Sequence, residues 1–366
     1  MSMRLTLQRL KGSAGGIPPS VIVATYAIGG IGGALAHAIG MPLAMLLGSM
    51  IATAGAAMLG VRVFGQTPAV PQKWRTVLIP VIGVAIGASF PADFWEQAKQ
   101  WWVSIAALLV FIPLAHAMGF ILFRRLGGLG PQTAYYASMP GGFIESMEMG
   151  EKSGADMPML IILQFLRLIL CIVFIPIGFS LFEGHAVGSA SGASLGSEVP
   201  VSSVDAVVLI GLAVVGWYVG KKLRFPAAVL FGPLLLSGLA HATGLTGAVP
   251  PGWSILVTQW VIGTSLGARL AGFSRGQFGV ALLLSSVNVS AILVAASLVA
   301  LLVARPVNEP VAAVILAFAP GGVSEMALVA LSLQLSAVYV TMHHLIRIVL
   351  AVIVARLGTG LLSATD

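Results

Sequence analysis

Four apolar runs, 101–123, 157–182, 277–304 and 336–357, are each long enough to cross a hydrocarbon layer of roughly 30 Å as a helix. Inside lipid every backbone N–H and C=O must find an internal partner, so a spanning segment is either a helix or a strand of a closed barrel. Runs this long select helices. Only 8% of the 366 residues are charged while 58% are hydrophobic, far too little charge to cover a soluble surface. The solvent is therefore lipid, and soluble enzymes and DNA-binding domains are excluded. The net charge of +7 does not bring nucleic acid back as a partner, because the basic residues cluster at the ends of apolar runs. Arg4, Arg9 and Lys11 precede the first run, Arg62, Lys73 and Arg75 follow the second, and Lys221, Lys222 and Arg224 follow the sixth. A single cysteine, Cys171, excludes an intramolecular disulfide.

The start of the chain has the outline of a signal peptide: basic residues, then an apolar run at 21–40 that reaches Ala36-His37-Ala38. That run is long for a signal, and a comparable segment recurs at 204–220, where no signal could operate. A retained first helix is expected.

An internal duplication organises the chain. Ser138-Met139-Pro140-Gly141-Gly142-Phe143-Ile144-Glu145 matches Phe318-Ala319-Pro320-Gly321-Gly322-Val323-Ser324-Glu325 at an offset of 180. The offset holds for Arg167 with Arg347 and for Gly83 and Gly87 with Gly263 and Gly267. Earlier, Pro42-x-Ala44-x-Leu46-x-Gly48 matches Pro226-x-Ala228-x-Leu230-x-Gly232 at an offset of 184. This divides the chain into an N-terminal segment 1–17, a first repeat 18–182, a linker 183–203 rich in Gly, Ser and Ala, and a second repeat 204–361.

Charge arbitrates the number of crossings. With the N-terminus inside, Arg62, Lys73, Arg75, Arg124 and Arg125 fall inside, and Asp93 with Glu96 falls outside. If each Pro-Gly-Gly stretch dips in and returns, the linker lies outside and the Lys221 cluster inside; Arg305 then sits outside, against the trend. The expected fold is an all-α integral membrane protein of about ten transmembrane helices. They form two inverted five-helix repeats, each with a Pro-Gly-Gly broken or re-entrant segment.

Proline without an N–H beside glycines of unusual backbone freedom breaks a helix, and lipid cannot satisfy the freed groups, so both triplets are expected in the protein interior. If helix resumes after the glycines, Glu145 and Glu325 fall in its first turn, where the positive dipole end favours a carboxylate and the exposed N–H groups favour an anion. Arg167 and Arg347 sit about eleven residues into their spans, roughly 16 Å deep, and a permanent cation there needs a partner. One alternative is a structural pair with Glu145 and Glu325. The other is an Arg that holds a substrate oxyanion while Glu binds a coupling cation or proton. His343 and His344 flank the face of Arg347, Gln164 stands in the first half where His344 stands in the second, and a histidine there could relay protons. The expected substrate- or ion-binding set is thus Pro140, Gly141, Gly142, Glu145, Gln164, Arg167, Pro320, Gly321, Gly322, Glu325, His343, His344 and Arg347.

No cofactor and no metal site is expected, since His37, His116, His185 and His241 lack ligand spacing. The GxxxG pairs Gly83/Gly87 and Gly263/Gly267 are read as close helix packing. Gly29-Gly30-Ile31-Gly32-Gly33 fails the GxGxxG order of a nucleotide loop.

The doubled Pro-Gly-Gly-x-x-Glu segments, the Pro-x-Ala-x-Leu-x-Gly helices and the length together resemble the duplicated membrane AbrB family of bacteria. That resemblance implies its labels: a regulator of gene expression named after AbrB, or an ammonia monooxygenase. The residues themselves show neither a DNA-binding fold nor a metal or flavin site. They point to a secondary transporter or permease for a small solute, an anion being the expected class, with a membrane-bound regulator and a membrane enzyme as alternatives. Expected partners are the lipid bilayer and a small-molecule or ion substrate, and a homo-oligomer is compatible. The expected location is the bacterial inner (cytoplasmic) membrane, multi-pass with a cytoplasmic N-terminus.

Overall fold

The computed structural model describes residues 16–90, 94–183, 201–273 and 275–362. Arg4, Arg9, Lys11, Asp93 and most of the expected linker lie outside the described residues. Fifteen helices follow in order: α1 Pro19–Ala38, α2 Ala44–Met58, α3 Gln72–Ala88, α4 Phe94–Ala98, α5 Trp102–Arg125, α6 Pro131–Ala137, α7 Phe143–Lys152, α8 Met157–Glu183, α9 Ser203–Lys222, α10 Ala228–Ala242, α11 Gly252–Ala268, α12 Arg275–Val307, α13 Val311–Phe318, α14 Val323–Ser332 and α15 Ala337–Leu362. Among the described residues no strand forms, and an isolated bridge pairs Val63 with Gln66.

Among the described residues, six helices are long and apolar enough to cross a membrane: α1, α5, α8, α9, α12 and α15. The four helices that would complete a count of ten, α2, α3, α10 and α11, have 15 or 17 residues, short of the length that marks a span. Local chemistry sets these short lengths. Leu43 and Ala227, each after a proline, adopt left-handed φ values of 49° and 48° immediately before α2 and α10, so a helix can start only beyond them. Such a conformation costs an ordinary side chain roughly 1–2 kcal/mol, and both halves carry it at equivalent positions.

Helix boundaries repeat the sequence offsets. α9 and α10 start and end 184 residues after α1 and α2, and α11 and α14 start and end 180 after α3 and α7. The chain nevertheless divides into two compact units that do not follow its halves. One holds α1–α3 and α9–α11, with the tail of α8 from Pro176; the other holds α4–α7, α8 as far as Ile175, α12, α13, α14 as far as Ala330 and α15. Each unit thus takes equivalent helices from both halves.

In the first unit the glycine pairs do what close packing requires. Gly83 and Gly87 of α3 lie on the backbone of α10, where a Cβ on Gly83 would overlap the Leu230 carbonyl oxygen and one on Gly87 would stand 2.5 Å from that of Leu234. Gly263 and Gly267 of α11 lie in the same way on α2, against Leu46 and Met50. Gly32 meets Gly48 between α1 and α2, and Gly216 meets Gly232 between α9 and α10. Small residues bring backbones together where lipid gives no hydrophobic drive for association. In the second unit α12 packs on α5 and α13, and α15 packs on α13, α5 and α6.

Candidate functional site

The second unit contains every residue of the expected binding set. Its centre is a pair of interrupted helices. α6 stops at Ala137 and helix resumes at Phe143; α13 stops at Phe318 and resumes at Val323. Gly142 enters α7 at φ 67°, a conformation that glycine adopts without steric cost. Residues 138–142 and 319–321 are buried. Each short helix therefore ends in a dry place, where its last carbonyls lack full partners along the chain.

Polar side chains from the following long helix supply those partners. On α8, Gln164 Nε2 donates to the carbonyls of Tyr136 at 2.8 Å and Ala137 at 3.1 Å, and Arg167 Nη1 donates to that of Met139. On α15, His344 Nε2 donates to the Leu316 carbonyl at 2.8 Å and Arg347 Nη2 to that of Gly321 at 2.5 Å. Gln164 and His344 occupy equivalent positions, as do Tyr136 and Leu316, so the two chemically different residues share one task. A carbonyl only accepts, which places a hydrogen on His344 Nε2. Its Nδ1 is then an acceptor, and Arg347 Nη2 lies 3.0 Å away. His344 is thereby held neutral and is unsuited to carrying protons. His344→Gln should keep both bonds and most of the protein's thermal stability. His344→Leu should leave the Leu316 carbonyl with only the 3.3 Å bond from the Ala319 N–H, remove the acceptor that Nδ1 offers Arg347, and cost about 1–3 kcal/mol in unfolding measurements.

The breaks and the arginines meet. Gly141 of the first break lies against α15, its Cβ position 3.5 Å from the Arg347 carbonyl and from Ile348 Cα. Arg167 is 4% exposed and Arg347 1%. The two guanidiniums are near enough to repel one another, and the Cys171 thiol is within electrostatic reach of both. Their engaged donors go to carbonyls and to His344, while Nε of Arg167 and both Nε and Nη1 of Arg347 are buried without a hydrogen-bond partner. Taking a guanidinium out of water costs several kcal/mol, whereas a hydrogen bond to a charged group returns about 1.5–3. One or two bonds each leave a deficit that an oxyanion between the spare donors would offset. Asn288 of α12, also buried and with Oδ1 unpartnered, stands beside Ser138 at the edge of the first break.

The two glutamates sit where the dipole favours them, in the first turns of α7 and α14. A Cβ on Gly322 would overlap the Glu325 carboxylate, and one on Gly142 would be 3.2 Å from Glu145 Oε2. Ser324 Oγ donates to Glu325 Oε2 at 2.9 Å. Glu145 is half-buried and Glu325 fully buried, which makes the two breaks unequal. His343 does not join the arginine cluster by a hydrogen bond. Its Nδ1 faces the Tyr339 carbonyl at 2.8 Å and its Nε2 the Ser104 hydroxyl at 2.7 Å, within a group formed by Trp101, Ser104 and Tyr339. Asn288 gave no signal as a neighbour of the first break, and Ser104 and Tyr339 gave none as partners of His343, because each is a lone polar or aromatic group in an apolar helix.

The sequence profile described as "Transition state regulatory protein AbrB" matches residues 46–363. The chain belongs to the AbrB family. Among its relatives, the "Uncharacterized protein YhjN" of Bacillus subtilis (strain 168) is 24% identical over 347 residues, which cover 89% of each chain. The protein named "Putative regulator AbrB" of Escherichia coli (strain K12) is 27% identical over 233 residues, covering 63% of this chain and 64% of that protein. The AbrB profile reaches both breaks and both arginines, so the candidate site lies within the part of the chain that defines the family. The apolar helices describe this AbrB-family chain as a membrane-type helical protein.

Proposed function

We propose that this protein is a secondary transporter or permease that carries a small anionic solute across the bacterial inner membrane. One observation carries the proposal: two buried guanidiniums, one from each half of the chain, come together at two interrupted helices with N–H donors to spare. Ionisable groups inside apolar helices mark substrate or ion pathways by default, and interrupted helices at a repeat interface are the usual way to build such a site. In this account α2, α3, α10 and α11 also cross, giving ten spans, and the two repeats at 18–182 and 204–361 have opposite orientations. The N-terminus is cytoplasmic and the Pro-Gly-Gly segments are broken or re-entrant.

The name of the Escherichia coli relative favours a second reading, a membrane-bound regulator of gene expression. Flux separates the two. Purified protein in proteoliposomes should take up at least one of sulfate, phosphate, nitrate and succinate faster than protein-free vesicles. No uptake of any of the four above the protein-free rate would remove the transport proposal and leave the regulator reading.

A further inference from the structure

Beyond the proposed anion site, the second unit holds a set of polar groups, most of them buried, that the duplication does not repeat. Glu309, between α12 and α13, is half-buried and hydrogen-bonded by the Ser336 hydroxyl at the start of α15. The Tyr339 hydroxyl, buried and without a completed hydrogen bond, faces Ser104 and lies within electrostatic range of Glu309. Ser104 Oγ reaches His343 Nε2 at 2.7 Å and the Trp101 carbonyl at 2.9 Å. His343 in turn is within electrostatic range of His344, which holds Arg347. At the offset of 180, the repeat equivalents of Glu309, Ser336, Tyr339, Ser104 and His343 are Leu129, Asp156, Met159, Leu284 and Leu163. Packing alone is thus served by apolar residues at four of these five positions. Buried polar groups cost stability unless they are fully paired, so a polar version kept at only one of the two equivalent places has a use other than packing.

We propose that Glu309, Tyr339, Ser104 and His343 form a proton path from the aqueous edge of the second unit to the arginine site, so that a proton moves with the anion. The hydrogen-bond geometry allows His343 two states. When it is neutral, Nδ1–H donates to the Tyr339 carbonyl and Nε2 accepts from the Ser104 hydroxyl. When it is protonated, Nε2–H donates to Ser104 Oγ, whose hydrogen turns to the Trp101 carbonyl. The atoms balance at each station. Glu309 takes a proton from water and passes it to the Tyr339 oxygen as the Tyr339 proton moves to Ser104. The Ser104 proton moves to His343 Nε2, leaving Tyr339 and Ser104 neutral and His343 a cation. That added positive charge lies beside the His344–Arg347 pair and strengthens the hold on an anion, and by linkage a bound anion strengthens the hold on the proton.

The groups facing this path are few. Arg305 on α12 is exposed, α13 has no titratable side chain, α15 contributes Tyr339, His343, His344 and Arg347, and α5 contributes Ser104 with Trp101 at its start. Burial raises the Glu309 carboxyl from the usual carboxylate range to about 7, with the Ser336 bond offsetting part of the rise. Proton loading is therefore half complete near neutrality, and coupled uptake should fall as the external pH rises through about 7.

This inference rests on the proposed transport, and the test separates the two. Reconstituted protein is assayed with sulfate, phosphate, nitrate and succinate in two modes: counterflow at equal pH, and net accumulation driven by an inside-alkaline gradient. The expected result is that wild type performs both with the transported anion, while Glu309→Gln and Ser104→Ala keep counterflow and lose accumulation by roughly ten-fold or more. Accumulation by both variants at the wild-type level would overturn the path and leave transport standing. So would wild-type accumulation that ignores the pH gradient. If none of the four anions moves in either mode, transport falls and the proton path falls with it. Glu309 lies outside the spanning helices, so Glu309→Gln keeps the test decisive if the buried Ser104 variant fails to fold.

Discussion

Arg347→Gln should lower anion flux through reconstituted protein by about a hundred-fold or more, without lowering the amount of folded protein in the membrane. A charge-assisted, two-pronged grip on an oxyanion contributes about 1.5–3 kcal/mol per bond. Each 1.4 kcal/mol is a factor of ten, so losing one guanidinium suffices for that drop. Stability should move the other way or not at all. Glutamine is two bonds shorter and gives up the bonds to the Gly321 carbonyl and His344, a loss offset by removing a buried cation and its repulsion from Arg167. An inactive variant as stable as wild type is the signature of a site whose strain serves binding. Arg347→Lys should also fail, since a point charge cannot reproduce the planar fork. Arg356→Gln, at an exposed position on the same helix, should transport normally. Flux and melting temperature measured side by side check all three.

The largest structural effect is expected at the glycine seams of the first unit. Gly83→Val should abolish recovery of folded protein in detergent. A branched side chain there would run into the Leu230 carbonyl and Pro233 of α10, and backbone cannot yield as a flexible side chain does. Overpacking alone costs about 1–3 kcal/mol, and here the α3–α10 contact must also open. Gly55→Val is the control: Gly55 lies within α2 with nothing within 4 Å of its Cβ position. Size-exclusion profiles of the two variants should differ sharply, the first aggregated or absent and the second like wild type.

Much of this architecture was legible in the residues because duplication writes the same signal twice. Pro42 and Pro226 mark where α2 and α10 begin, and the Pro-Gly-Gly triplets mark the interruptions to within a residue or two. The polar stripe of Gln164, Arg167, His344 and Arg347 was legible as a row of buried polar groups, yet its partners were not. An Arg in an apolar helix announces that it needs an acceptor, but the carbonyls that meet it belong to an interrupted backbone whose path no side-chain pattern encodes. Hence Glu145 and Glu325 were natural candidates, while the acceptors seen are Met139, Gly321 and His344. The recombination of helices into two units escaped for a similar reason: Gly83 and Gly263 announce close approach without naming Leu230 and Leu46 as neighbours. Glu309 drew no reading from the sequence, because the Ser336 hydroxyl that meets it stands twenty-seven residues further along the chain.

Thermal unfolding of the purified protein in the presence of sulfate, phosphate, nitrate and succinate tests the central claim most directly, because it reads binding at the arginine site without any assumption about flux. At least one of these anions should raise the melting temperature of wild type in a saturable way, and Arg167→Gln and Arg347→Gln should each remove that rise. Wild type unmoved by all four, or variants that gain as much as wild type does, would contradict an anion site between the two guanidiniums.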